Sequence, residues 1–145
     1  MAEKMLKILG ITKYRKMDGC FKEFDYICLE DDEFVLREMK ADRWGGKTGN
    51  IAVECMNRGQ LSGISTSKAD YWNIYIVELN ELYNIPTTVL KDAIWRDKFK
   101  EIKSCGEMSI CYLFDKDYFA QYLVLQECEP QNVTSPVWVS GRLSS

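Results

Sequence analysis

The chain has 145 residues, is 46% hydrophobic and 28% charged, and carries a formal net charge of −3. That composition belongs to a globular protein and not a disordered chain, and the charge weighs against proteins that coat nucleic acid, which are usually basic. The sequence has no histidine, which excludes Ser-His-Asp, Cys-His and histidine-based phosphoryl-transfer chemistry within the chain.

No apolar run approaches the ~20 residues needed to span a bilayer. The start, MAEKMLKILG, is too short and too interrupted by charge for a secretory signal. The expectation is therefore a cytoplasmic protein without a membrane partner. Cysteines stand at 20, 28, 55, 105, 111 and 128 with no CxxC pair, so zinc lacks its usual spacing and ligands, and six reduced thiols are expected. Any catalysis must run on carboxylates, lysine, tyrosine, cysteine or a hard cation.

In chain order, residues 2–9 set Met5, Ile8 and Leu9 on one side of a short amphipathic helix. Residues 24–29 (FDYICL) alternate and are aromatic and β-branched, as a strand requires. An acidic turn, Glu30 to Glu33, leads to a second strand over 34–40 (FVLREMK). A loop over 41–50 holds three glycines with Arg43, Trp44 and Lys47, and a third strand covers 51–56. A Gly/Ser-rich connection follows, then a strand over 71–79 so apolar that both faces should be buried. Pro86-Thr87 marks a helix start with Thr87 or Thr88 as cap, and the helix is expected to reach Lys103 with Leu90, Ile94 and Ile102 inward. Residues 108–113 form another strand, 115–122 a short helix or turn, and 123–128 a last edge strand. The sequence predicts one domain over 1–145, with a core to about 129 and a weakly patterned tail over 130–145. Its class is mixed α+β with a central sheet flanked by helices.

Within the second strand, two-residue alternation puts Glu38 and Lys40 on one face. Asp25 lies in the preceding strand, and a hairpin turning at residues 31 and 32 sets it across from Glu38. Carboxylates held side by side repel, which favours a divalent cation between them. The plainer reading is a Glu38–Lys40 pair on an exposed face. Glu54 in the third strand is read either as a further acidic ligand or water-positioning carboxylate, or as a partner of Arg58 or Lys68.

The Asp25…Glu38-x-Lys40 set, in an α-β-β-β order, resembles the PD-(D/E)-x-K phosphodiesterase superfamily over about residues 1–103. Phe24 stands where the formal motif has proline. The run from the Gly-rich loop through SGI…ADYW also looks like small nuclease-like proteins of viral and bacterial origin, which would place a viral copy in the host cytoplasm. The resemblance implies a restriction-endonuclease-like sheet and a Mg²⁺- or Mn²⁺-dependent nuclease, a DNA endonuclease above all. Asp25, Glu38, Glu54 and the Met39 carbonyl would then hold the metal, and Lys40 would orient the attacking water. Family members often bring an acidic residue of the first helix near the metal, a role open to Glu3, although a surface glutamate is the simpler account. Arg43, Lys47, Arg58 and Lys68 would grip phosphates, and Trp44 would stack on a base. Trp72 reads better as core. A homodimer fits a nuclease that cuts two strands. The competing reading is a catalytically silent copy of the fold serving as a binding module. A thiol enzyme using Cys20 or Cys55 lacks a base.

Overall fold

The computed structural model of the chain describes residues 1–19, 21 and 23–124. Helix α1, Ala2–Ile8, buries Met5 and Leu6. A short edge strand that periodicity does not reveal, β1 (Tyr14–Lys16), precedes β2 (Tyr26–Glu30) and β3 (Glu33–Asp42). Asp31 and Asp32 join β2 to β3 with φ of 50° and 66°. A two-residue turn with both φ positive matches the right-handed twist of the strands, and Asp tolerates that region better than most residues.

The turn α2 (Gly45–Thr48) leads to β4 (Asn50–Asn57) and the short β5 (Gln60–Leu61). Then come β6 (Tyr71–Ile76), β7 (Glu81–Pro86) and α3 (Thr87–Trp95). A hairpin of β8 (Glu101–Gly106) and β9 (Ser109–Asp115) follows, with a 3-10 segment over Lys116–Tyr122.

The mixed α+β class holds, but the strands form two sheets rather than one. The five-stranded sheet has the order β1-β2-β3-β6-β7 and the four-stranded sheet the order β5-β4-β9-β8. In the first, β3 and β6 run parallel and the other pairs antiparallel. The strand over 51–56, which follows β3 in the chain, is β4, and it pairs with β5 and β9 in the other sheet and not with β3. The place beside β3 belongs to β6, whose apolar residues gain more from burial on two faces.

The helix expected over 87–103 stops at Trp95, because Asp97 takes φ of 56° and the chain turns back as β8. Ile102 is therefore an exposed strand residue, while Leu90 is buried as expected. Thr87 is the first helical residue and Pro86 the cap, without a side-chain cap bond. The strand expected over 123–128 begins with Leu123 bridged to Tyr83, and its remainder beyond 124, like the tail, lies outside the described residues.

Between the sheets, Trp72, Ile74 and Ile85 pack with Ile51, Val53 and Phe114 and with Leu90 of α3. On the opposite face of the first sheet, Met5 and Leu6 of α1 cover Tyr26, Met39, Tyr75 and Leu82. That face also holds Arg37, 4% exposed. Its Nε and Nη2 donate to the two carboxylate oxygens of Glu30 at 2.9 and 3.0 Å, and Nη1 donates to Oδ1 of Asn73 and Asn84 at 3.0 and 2.9 Å. The Tyr71 ring stacks 4.7 Å from the guanidinium.

The expectation of six reduced thiols needs one correction. Cys105 and Cys111 flank the β8–β9 turn with their Cα atoms 5.7 Å apart and are joined as a disulfide, a separation within the range such bonds use. Cys28 and Cys55 are free and buried.

Phe114 is fully buried, with the rings of Phe119, Tyr118 and Phe99 centred 5.1, 6.2 and 6.4 Å away. Phe114→Ala should cost about 3–5 kcal/mol, as large aromatic truncations in packed cores do. A urea titration would read this as a lower midpoint at unchanged slope; a loss under about 1 kcal/mol would contradict the packing described.

Candidate active site

Antiparallel pairing of Tyr26 with Arg37 carries the hairpin register on to Asp25 beside Glu38. Asp25 is tied in twice: its N–H donates to the Arg37 carbonyl at 2.9 Å, and its Oδ2 accepts the Met39 N–H at 2.8 Å. A strand residue sends its carbonyl to the same edge as its N–H, so the Met39 carbonyl is directed to the Asp25 side.

Glu38 and Lys40 share a face, as alternation requires, and Lys40 Nζ donates to Glu38 Oε2 at 3.1 Å. Glu38 is 7% exposed while Lys40 remains half-exposed, its ammonium 5.9 Å from the Trp72 ring. Burial pushes the Glu38 carboxyl above its ordinary pKa; Lys40 opposes the rise, and the charges of Asp25 and Glu54 add to it.

Asp25, Glu38, Lys40 and Glu54 line one cavity of about 320 Å³, closed on the far side by Asn57, Arg58 and Ser62. Glu54 thus reaches the site, although from the opposing sheet and not from a strand next to β3. Two hydroxyls hold its carboxylate. Ser62 Oγ donates to Oε2 at 2.9 Å and Ser109 Oγ donates to Oε1 at 3.1 Å. Lys68, one of its expected partners, is ion-paired with Glu23 at 3.0 Å and lines no part of this cavity.

The two serines escaped sequence reading because each reaches Glu54 only through strand return: Ser62 follows the β4–β5 hairpin, and Ser109 comes from β9. Gly63 marks the close approach of this segment to Glu54. It adopts φ of +54°, and a Cβ there would stand 2.1 Å from the Glu54 carbonyl oxygen.

A second, larger cavity of about 720 Å³ adjoins the first and shares Lys40 and Glu54 with it. Arg43 and Trp44 line this groove, with Lys103 and Cys105 of β8 on its other side. Lys47 lies beside it, 6.0 Å from the Trp44 ring. Trp72 contributes to the groove floor but is 1% exposed, and its indole N–H donates to Ser67 Oγ at 3.0 Å, so it is a core residue. Glu3 lines neither cavity.

Among the described residues no three His, Cys, Asp or Glu side chains converge closely enough to form a metal cage. What the site offers is smaller: two carboxylates and a carbonyl at one edge, with Glu54 held back by its serines. That set suits Mg²⁺ or Mn²⁺, which take oxygen ligands; Mg²⁺ in particular keeps several waters and seldom needs an all-protein cage.

No protein-family model matches the chain, and no curated protein does. Among solved structures, the bacterial homing endonuclease I-Ssp6803I aligns with a TM-score of 0.43 and 23% identity, over 61% of this chain. The chain spans 58% of the length of that protein. A likeness of this strength leaves function to be read from the site itself. No helix among the described residues is long and apolar enough to cross a membrane.

Two expectations follow from the geometry. With its carboxyl pKa raised, Glu38 binds a proton more tightly in the folded state than in the unfolded one. Its contribution to stability is full below the ordinary glutamate range and is lost as pH climbs through the raised folded value. Glu38→Gln should therefore unfold at an equal or higher temperature than wild type at pH 7, with a smaller advantage at pH 4. Thermal unfolding at both pH values checks this, and a variant less stable at pH 7 than at pH 4, relative to wild type, would refute it. Gly63→Ala should cost about 1–3 kcal/mol by overpacking, measured by thermal or urea unfolding; a neutral substitution would show that the segment packs elsewhere.

Proposed function

We propose that the chain is a Mg²⁺-dependent nuclease that hydrolyses phosphodiester bonds of nucleic acid, with DNA as substrate. The observation that carries this reading is the meeting of Asp25, Glu38 and Lys40 in one cavity, with Lys40 Nζ 3.1 Å from Glu38. Asp25, Glu38 and the Met39 carbonyl would hold the metal. When bound, Mg²⁺ supplies positive charge to the scissile phosphate and makes a bound water more acidic.

The protein's own groups do the rest. Asp25, which lines the cavity, is fixed by the Met39 N–H through one oxygen, so its carboxylate has little freedom to lose. Burial of Glu38 destabilises its bare charge, which strengthens its call for a cation. Lys40, half-exposed at the rim, brings its ammonium to the oxygens of an entering phosphate and orients the attacking water. Charge stabilisation of this kind, aimed at a crowded phosphate in the transition state, is where such an enzyme gains most of its rate. Arg58 contacts backbone phosphate from the opposite wall. Glu54, with both oxygens occupied by hydroxyl donors, acts through its charge and through waters, outside the metal's own ligands. Cutting both strands of a duplex takes two such sites, which makes a homodimer the form expected on duplex substrates.

Labelled single-stranded, duplex and four-way-junction DNA incubated with Mg²⁺ or Mn²⁺ tests the reading. Cleavage should appear with either cation and vanish with chelator. Asp25→Asn, Glu38→Gln and Lys40→Ala should each lower the rate by about 10²-fold or more. Glu54→Gln should lower it less, about 10–100-fold. Full activity in the Asp25 or Glu38 variant would sink the site assignment. DNA binding without cleavage in wild type would favour a silent binding module of the same fold.

A further inference from the structure

The groove next to the acidic cavity has features that a track for backbone phosphates does not need. Asp42 Oδ1 accepts the N–H groups of both Trp44 and Gly45 at 2.8 Å, which fixes the turn that carries Trp44. Gly45 is buried there, and a Cβ would stand 2.9 Å from the Asn50 carbonyl oxygen, so the turn cannot be loosely built. On this fixed turn Trp44 keeps 70% of its surface exposed. An exposed indole carried on a fixed turn at the mouth of a cavity offers its face to a flat partner.

Charge points to the same kind of ligand. Arg43 and Lys103 line the groove and Lys47 stands 6.0 Å from the Trp44 ring, and among the described residues none of the three is in an ion pair. The two acids at the groove are already engaged: Asp42 in capping the turn, and Glu54 by Ser62 and Ser109. The interior is mostly apolar, with Ala52, Ile74 and Leu113. Its volume of about 720 Å³ lies in the range of pockets that enclose small organic ligands. A planar π-face, a cationic rim and an apolar interior together suit a nucleobase carrying its phosphates, and stacking of this kind accepts any base.

We propose that the groove takes one unpaired nucleotide of a DNA strand, stacked on Trp44, so that the preferred substrate has an unpaired nucleotide beside the phosphate held at Glu38 and Lys40. This rests on the nuclease reading and narrows its substrate class. Lys40 and Glu54 line both cavities, so a nucleotide in the groove lies next to the acidic site. Taking a base out of an intact duplex costs pairing and stacking, and a bulge, gap or flap has already lost them.

Binding of the full-length chain, measured by fluorescence anisotropy without divalent metal, tests the proposal independently of cleavage. The probes are a blunt duplex and the same duplex with one unpaired nucleotide. The bulged duplex should bind about tenfold tighter or more, the scale of a base–aromatic stack. Trp44→Ala should bring the ratio near one, and Trp44→Phe should restore part of it. Trp95→Ala, which removes another exposed indole at the end of α3, should leave the ratio as in wild type. Equal affinities, or a preference that Trp44→Ala leaves intact, would overturn the proposal. If Mg²⁺-dependent cleavage accompanied equal affinities or no binding, only this inference would fall; no cleavage of any of these DNAs with Mg²⁺ or Mn²⁺ would bring down the nuclease reading itself.

Discussion

Two aspartates at a hairpin tip set the geometry on which the candidate site depends. Asp31 and Asp32 both take positive φ, and a turn of that kind has room for two residues only. The count is then fixed: Glu30 faces Glu33, Tyr26 faces Arg37, and one step further Asp25 comes beside Glu38. A turn longer by one residue would shift the pairing and separate the two carboxylates. The acidic side chains themselves stay exposed in water, where their mutual repulsion is weak. Backbone conformation at the tip, and not contact within the site, brings the acids together.

The second constraint is the parallel pairing of β3 with β6. Parallel neighbours cannot be joined by a tight turn, so the chain must make a long excursion between them. Here the excursion builds β4, β5 and the turn at Gly63, and these become part of another sheet with β8 and β9. The site is consequently a cleft with walls from both sheets: Asp25, Glu38 and Lys40 on one, Glu54 with its serines on the other. An extra strand laid directly beside β3 would have closed that cleft.

The hairpin and its carboxylate pair were legible because they are local, governed by alternation and a two-residue turn within fourteen positions, 25–38. The buried character of the strand at Tyr71 was legible for the same reason, being a composition of one segment. What escaped was decided over longer distances. The segment 51–56 has the pattern of a strand, but nothing within it says which sheet it joins. Residues 96–103 set Phe99 and Ile102 three apart among charged side chains, a spacing that fits a helix face; the left-handed Asp97 and the pairing of β8 with β9 decide otherwise. Ser62 and Ser109 stand far apart in sequence and meet only at Glu54. Cys105 and Cys111 are brought together by the hairpin of β8 and β9, which the local pattern of residues 101–106 does not announce.

Arg37 lies on the far face of β3 from Glu38, under α1's side of the sheet, and its guanidinium is satisfied by Glu30, Asn73 and Asn84 together. Those partners come from β2, β6 and β7, so the network is complete only when all four strands are aligned. Sliding β3 by one residue would turn the guanidinium into the hydrocarbon between the sheets, where an uncompensated charge is severely penalised. The arginine therefore acts as a proofreader of strand alignment. It adds little to net stability by itself, but it makes every misthreaded sheet costly, and so guards from behind the register that the opposite face uses.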